Sequence, residues 1–153
     1  MTIKTGSFIL IRVFLGLIYL WVVADRLGIL GPVGNPGVVW GNFDNFLEYT
    51  ATLNPWFPRV VSDILGYFVT FLEVVIGVLL VSGIRLKEAA LASLALLLVF
   101  LLSMIFSIGF KEAFDYIVFT VVVATASALL YREAKKRRRV GLAYFILNRN
   151  PLR

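Results

Sequence analysis

Four stretches of this sequence, at about 8–30, 62–84, 88–108 and 113–131, are each close to twenty residues long and almost wholly apolar. A helix of ~20 residues just crosses the ~30 Å hydrocarbon core of a bilayer. A water-soluble fold of this size has no room to hide four such segments from solvent. Composition agrees, with 60% hydrophobic and 16% charged residues among 153 and a mean hydropathy of +0.91. In lipid every backbone N–H and C=O needs an internal partner, so helices are predicted even for Val121-Val122-Val123, which would suggest a strand in water. The first stretch runs on through Trp21 to Val23 without an A-x-A-like site, and Asp25 and Arg26 follow it. It is therefore expected to stay in the mature chain and not to be cleaved as a signal peptide.

Basic residues set the orientation. With both termini and the link at 83–87 on the cytoplasmic side, that side carries Lys4, Arg12, Arg85, Lys87 and the eight Lys and Arg from Arg132 onward. The other side carries Arg26, Arg59 and Lys111, so the bias is twelve against three. That asymmetry follows the positive-inside rule, and an even number of spans agrees with it. The expectation is an all-α integral membrane protein: an antiparallel bundle of four transmembrane helices, multi-pass in a bacterial-type inner (plasma) membrane, with cytoplasmic N- and C-termini. Residues 1–131 would form that domain, and 132–153 a basic cytoplasmic tail.

The outer connection, about 31–61, opens with turn residues: Gly31-Pro32, Gly34 and Asn35-Pro36-Gly37. Beyond them Phe43, Phe46, Leu47, Thr50 and Leu53 recur at helical spacing, and Asn54-Pro55 ends the pattern. This predicts a short amphipathic helix beginning near Asn42, lying at the outer headgroup level or capping the bundle mouth. With Trp40, Tyr49, Trp56 and Phe57 nearby, a plain aromatic anchor is the preferred reading of the two.

Chemistry is bounded by what is missing. The chain has no Cys and no His, which removes disulfides, thiol redox chemistry and the usual zinc and haem ligands, so no metal site is expected. What remains is charge inside the spans. Glu73 sits near the middle of the apolar run 62–81, where an ionised side chain costs roughly 2.5–3.5 kcal/mol on insertion scales. It must face other helices and be neutralised. Helical spacing groups it with Gly66, Thr70 and Gly77, and groups Arg12, Gly16, Tyr19, Val23 and Arg26 on the first helix. Ala89, Ser93, Leu96, Phe100, Ser103 and Ser107 share a face of the third span, and Tyr116, Thr120, Val123 and Ser127 one of the fourth. Small and hydroxyl-bearing stripes of this kind suit close packing of membrane helices. Along the membrane normal, Arg12 is estimated roughly 7–9 Å inward of Glu73 and Arg26 roughly 11–12 Å outward. Arg12 is thus the expected partner of Glu73, in a buried ion pair or beside a small polar cavity that also includes Tyr19 and Thr70. Arg26 is expected to meet Asp25, Asp63 or Asp115 at the outer end. A purely structural pair that fixes helix register stays equally open. No chain of acids and histidines crosses the membrane, which argues against a proton pump.

Some of these residues carry a family resemblance. Arg12 with Gly16, the run from Glu73 through Gly77 to Gly83-Ile84-Arg85, the Ala-rich start of the third span, and Gly109 before Phe114-Asp115-Tyr116 resemble the DoxX family of small four-helix membrane proteins. The segment Trp40-Gly41-Asn42-Phe43 through Tyr49 to Leu53-Asn54-Pro55-Trp56-Phe57-Pro58 is similar to one bacterial branch of it. The resemblance covers about 8–131. It implies an accessory or quinone-side subunit of a membrane oxidoreductase, with Arg12, Glu73 and Tyr19 around a quinone head group and no redox centre of the chain's own. Some distant relatives act as membrane-protein chaperones.

After the last span, Arg132, Lys135, Lys136, Arg137, Arg138 and Arg139 form a juxtamembrane cluster suited to anionic lipid, a cheaper account of the pI near 9.9 than nucleic acid. The apolar run Leu142 to Leu147 is too short to span and is expected along the inner interface or on a partner. Three function classes follow: a quinone-linked oxidoreductase subunit, a non-enzymatic scaffold or assembly factor, and a small-molecule or lipid carrier. Each expects a partner protein or a second copy of the chain.

Overall fold

The computed structural model describes the backbone of residues 5–115 and 117–148, with the side chains of those residues except 112, 114, 115, 117–119 and 142–148. The described chain is all-helical: α1 (Thr5–Arg26), α2 (Phe43–Leu53), α3 (Arg59–Ser82), α4 (Leu86–Ser107), α5 (Phe110–Asp115) and α6 (Ile117–Asn148). Three of these, α1, α3 and α4, are long and apolar enough to cross a membrane. The fourth apolar stretch lies mostly in α6, which continues past the expected end at 131 through the basic cluster to Asn148. The expected interfacial placement of Leu142 to Leu147 concerns side chains outside the described set.

Helix α1 ends four residues earlier than its hydropathy suggests. Gly28 adopts φ +73 and its N–H turns back to the Asp25 carbonyl at 2.9 Å, so Leu27, Ile29 and Leu30 extend the apolar run without extending the helix. Helix α3 begins earlier than expected, directly after Pro58, and Arg59 Nε meets Asp63 Oδ1 at 2.7 Å one turn on. Gly83 stops α3 in the left-handed region at φ +82, with its N–H on the Leu79 carbonyl at 3.0 Å. A side chain there would also run into the Arg12 guanidinium, so glycine answers a conformational and a steric demand together.

Helix α1 packs most extensively on α3, and α4 on α6; α3 also touches α4, and α1 touches α6. Each of these four helices therefore meets two of the others. The α1–α3 contact is close because glycines face each other. A Cβ on Gly16 would lie 2.7 Å from Val81 Cγ2 and 2.8 Å from the Gly77 carbonyl oxygen, and one on Gly77 would lie 2.9 Å from Leu20. Between the helices Leu15, Ile76, Leu80 and Leu130 are buried, whereas Leu10, Phe14, Phe71 and Phe106 turn outward. Outward apolar side chains are what an acyl-chain environment stabilises.

The amphipathic segment forms where its pattern predicts. Asn42 caps α2 by accepting from the Asn45 N–H at 2.8 Å, and Asn54 Nδ2 closes its far end on the Thr50 carbonyl at 2.9 Å. Its stripe of Phe46, Leu47, Thr50 and Leu53 is buried, chiefly against α3, and Leu47 and Phe46 fill the notch left by Gly66. The segment forms a lid on the helices, while Trp56 and Phe57 just beyond it stay exposed.

Candidate functional site: a buried ion pair under the α2 lid

Glu73 is 3% exposed and faces inward, but its partner is Arg26 and not Arg12. The guanidinium grips both carboxylate oxygens: Nη1 bonds Oε2, and Nη2 donates to Oε1 at 3.1 Å. Arg26 Nη1 also reaches Thr70 Oγ1 at 3.3 Å, and the Thr70 hydroxyl donates to the Gly66 carbonyl at 2.9 Å. Phe46 lies against the cation, its ring centroid 3.8 Å from Arg26 Cζ. Arg26 Nε is buried and meets no acceptor among the described residues.

Direction and register explain why the expected pairing was wrong. Side chains on a helix lean toward its N-terminus. Helices α1 and α3 are antiparallel, so Arg26 leans back toward mid-helix while Glu73 leans toward the loop end to meet it. Arg12 leans away. Gly16 lies against Gly77 and Val81, which sets Glu73 level with about Val23. Arg26 is then roughly 4–5 Å away along the axis and Arg12 roughly 16 Å. Arg12 Nη1 instead donates to the carbonyls of Leu80 at 3.2 Å and Val81 at 3.1 Å, satisfying acceptors left free at the end of α3.

Asp25 does not pair with its neighbour either. Its carboxylate, 3% exposed, accepts the backbone N–H groups of Val39 at 2.9 Å, Trp40 at 3.1 Å and Gly41 at 3.0 Å, and so pins the far limb of the outer loop to the end of α1. Asp63 binds Arg59. The Asp115 and Tyr116 side chains lie outside the described residues.

A second polar element crosses the core nearer the middle. Tyr19 Oη is 2.6 Å from Ser93 Oγ, which is 2.8 Å from Ser127 Oγ, and the Ser127 hydroxyl donates to the Val123 carbonyl at 2.8 Å. This chain links α1, α4 and α6. Sequence spacing put the three residues on inward faces but did not show that they touch. Phe46 was missed as a partner for charge, although its position on the buried stripe of α2 was a usable signal. Among the described residues no group of three or more His, Cys, Asp or Glu could hold a metal. Chemically, the centre is an acid with both oxygens held by one cation, under an aromatic lid, with hydroxyls bound to one another.

Long apolar helices with outward-facing aliphatic and aromatic side chains, closed on an internal ion pair, define an α-helical membrane protein. The profile of the family described as methylamine utilisation protein MauE matches residues 4–115, well over half of the sequence, and the chain belongs to that family. Curated proteins and solved structures gave no match. The family finding corrects the DoxX resemblance, since MauE is a different membrane family. The residues that carried the resemblance solve general problems of helix packing. Gly16 and Gly77 permit close approach, Gly83 stops a helix, and Arg12 caps one. Unrelated membrane bundles share such solutions. The quinone role implied by that resemblance loses its support with it.

Proposed function

We propose that this MauE-family chain is an accessory membrane protein of an amine-utilisation system, acting as a non-enzymatic scaffold or assembly factor in the maturation of a redox enzyme. The observation that carries the reading is the use of the polar interior. Arg26 ties Glu73, Thr70 and Phe46 together, and Tyr19, Ser93 and Ser127 bond one another, so these groups serve to join helices. Amine oxidation needs an electron acceptor, and a chain without Cys or His lacks the usual residues for carrying one. A supporting part in building the oxidising enzyme fits both facts.

The same reading has four spans, the fourth being the first part of α6, which leaves the bilayer near residue 131. Support comes from the pairing of α4 with α6 and from the burial of Val123, Ser127 and Leu130 on one face. It also has cytoplasmic termini in an inner membrane, in keeping with the basic residues gathered at that end.

Deleting the gene in its host and measuring growth on methylamine, together with the amount and activity of the mature amine-oxidising enzyme, tests the role. The expected result is loss of mature enzyme, restored by the wild-type chain, with a stable partner co-purifying with a tagged copy. Normal enzyme levels in the deletion strain, or quinone reduction by the purified chain alone, would overturn it.

A further inference from the structure

At the end of the molecule away from α2, a cleft of about 540 Å³ opens between the start of α1, the α3–α4 link and the extension of α6. Arg85, Lys87, Arg137 and Arg138 line it against a single carboxylate, Glu88, giving a formal balance of +3. Glu88 reaches Arg138 at 3.7 Å, and that pair is exposed, so solvent screens it. Arg85, Lys87 and Arg137 meet no carboxylate within ion-pair distance among the described residues. Their positions have definite support. Arg137 lies over the Phe8 ring with its Cζ 4.5 Å from the centroid, and Lys87 Nζ lies 6.0 Å from the Tyr131 ring. The unbroken run of α6 beyond residue 131 is what carries Arg137 and Arg138 over the start of α4.

We propose that this cleft binds the phosphate of an anionic membrane phospholipid. Unpaired cations from the α3–α4 link (Arg85), α4 (Lys87) and α6 (Arg137) converge on one opening, which suits a compact anion better than a flat polyanion surface. The cleft also borders the apolar belt: Ile84 beside Arg85 and Leu91 one turn beyond Lys87 are 60% and 53% exposed, a path along which acyl chains can lie. Basic pockets between membrane helices are suited to such head groups. The site differs from general attraction to the tail because Lys136 and Arg139 are equally basic and exposed yet do not line it. It is independent of the amine-utilisation role.

Native mass spectrometry of the full chain, titrated with phosphatidylglycerol, phosphatidylcholine or inorganic phosphate, tests the proposal. Retention of phosphatidylglycerol over phosphatidylcholine is expected. Arg85→Gln with Lys87→Gln should weaken that retention by about tenfold or more, whereas Lys136→Gln with Arg139→Gln should weaken it by less than about threefold. Thermal unfolding without lipid checks that both variants fold. Equal losses in the two variants would mean diffuse attraction and overturn the site, as would equal retention of the two lipids. Displacement by millimolar inorganic phosphate would assign the cleft to a soluble anion and overturn the lipid.

Discussion

Arg26 stands at the last position of α1, where a basic residue ordinarily faces solvent, yet it is 4% exposed and is gripped from three sides. Its removal strands Glu73 inside the protein, and removal of Glu73 strands the guanidinium. Arg26→Met or Glu73→Leu alone should each lower stability by about 3–5 kcal/mol, while the double variant should recover most of that loss, because two apolar side chains need no compensating charge. Unfolding of all four forms in mild detergent measures the coupling. Additive losses would show that the pair does not act as a unit. At the second polar centre Tyr19→Phe removes one hydroxyl but leaves Ser93 bonded to Ser127, so a loss of about 1 kcal/mol is expected in the same assay.

Among the elements, α1 and α3 hold each other through absent side chains. Gly77→Ala inserts a methyl 3.1 Å from the Gly16 carbonyl oxygen and closer still to Leu20. Overpacking of this kind costs about 1–3 kcal/mol, and Gly16→Val should cost at least as much. A fall in detergent melting temperature checks both. The outer loop depends on a different device, one carboxylate gathering three consecutive amides. Asp25→Ala should leave α1 intact while raising the rate of proteolysis between residues 28 and 42 by about tenfold or more, since charge-assisted hydrogen bonds contribute about 1.5–3 kcal/mol each. Limited proteolysis followed by mass mapping would detect the change, and an unchanged cleavage rate would mean the loop is held by its aromatic contacts instead.

For the whole molecule the absence of Cys is an experimental advantage. Gly34→Cys in the outer loop and Val140→Cys on α6 are exposed sites for a membrane-impermeant thiol reagent. Intact cells should label Gly34→Cys, and Val140→Cys should label only after permeabilisation. The reverse pattern would invert the topology, and labelling of both in intact cells would remove the fourth crossing. Helix α6 runs unbroken through residue 131 into the basic cluster, which brings Arg137 and Arg138 to the α3–α4 link and the Phe8 ring.

Much of this was legible in the residues themselves. Helices long enough to cross a membrane, the inward stripes on α1 and α3, and the bounds of α2 with its Asn42 cap all follow from apolar run length, periodicity and local turn chemistry, which act between near neighbours in the chain. The choice of Arg26 over Arg12, the bond from Tyr19 through Ser93 to Ser127, and the cleft between Arg85 and Arg137 do not follow from those signals. Each depends on how far one helix slides past another and which way its side chains lean. That sliding is set by glycine contacts such as Gly16 on Gly77, which join residues far apart in sequence. Periodicity assigns a residue to a face but carries no information about the height at which two faces meet, so the pairings became definite only when the helices packed.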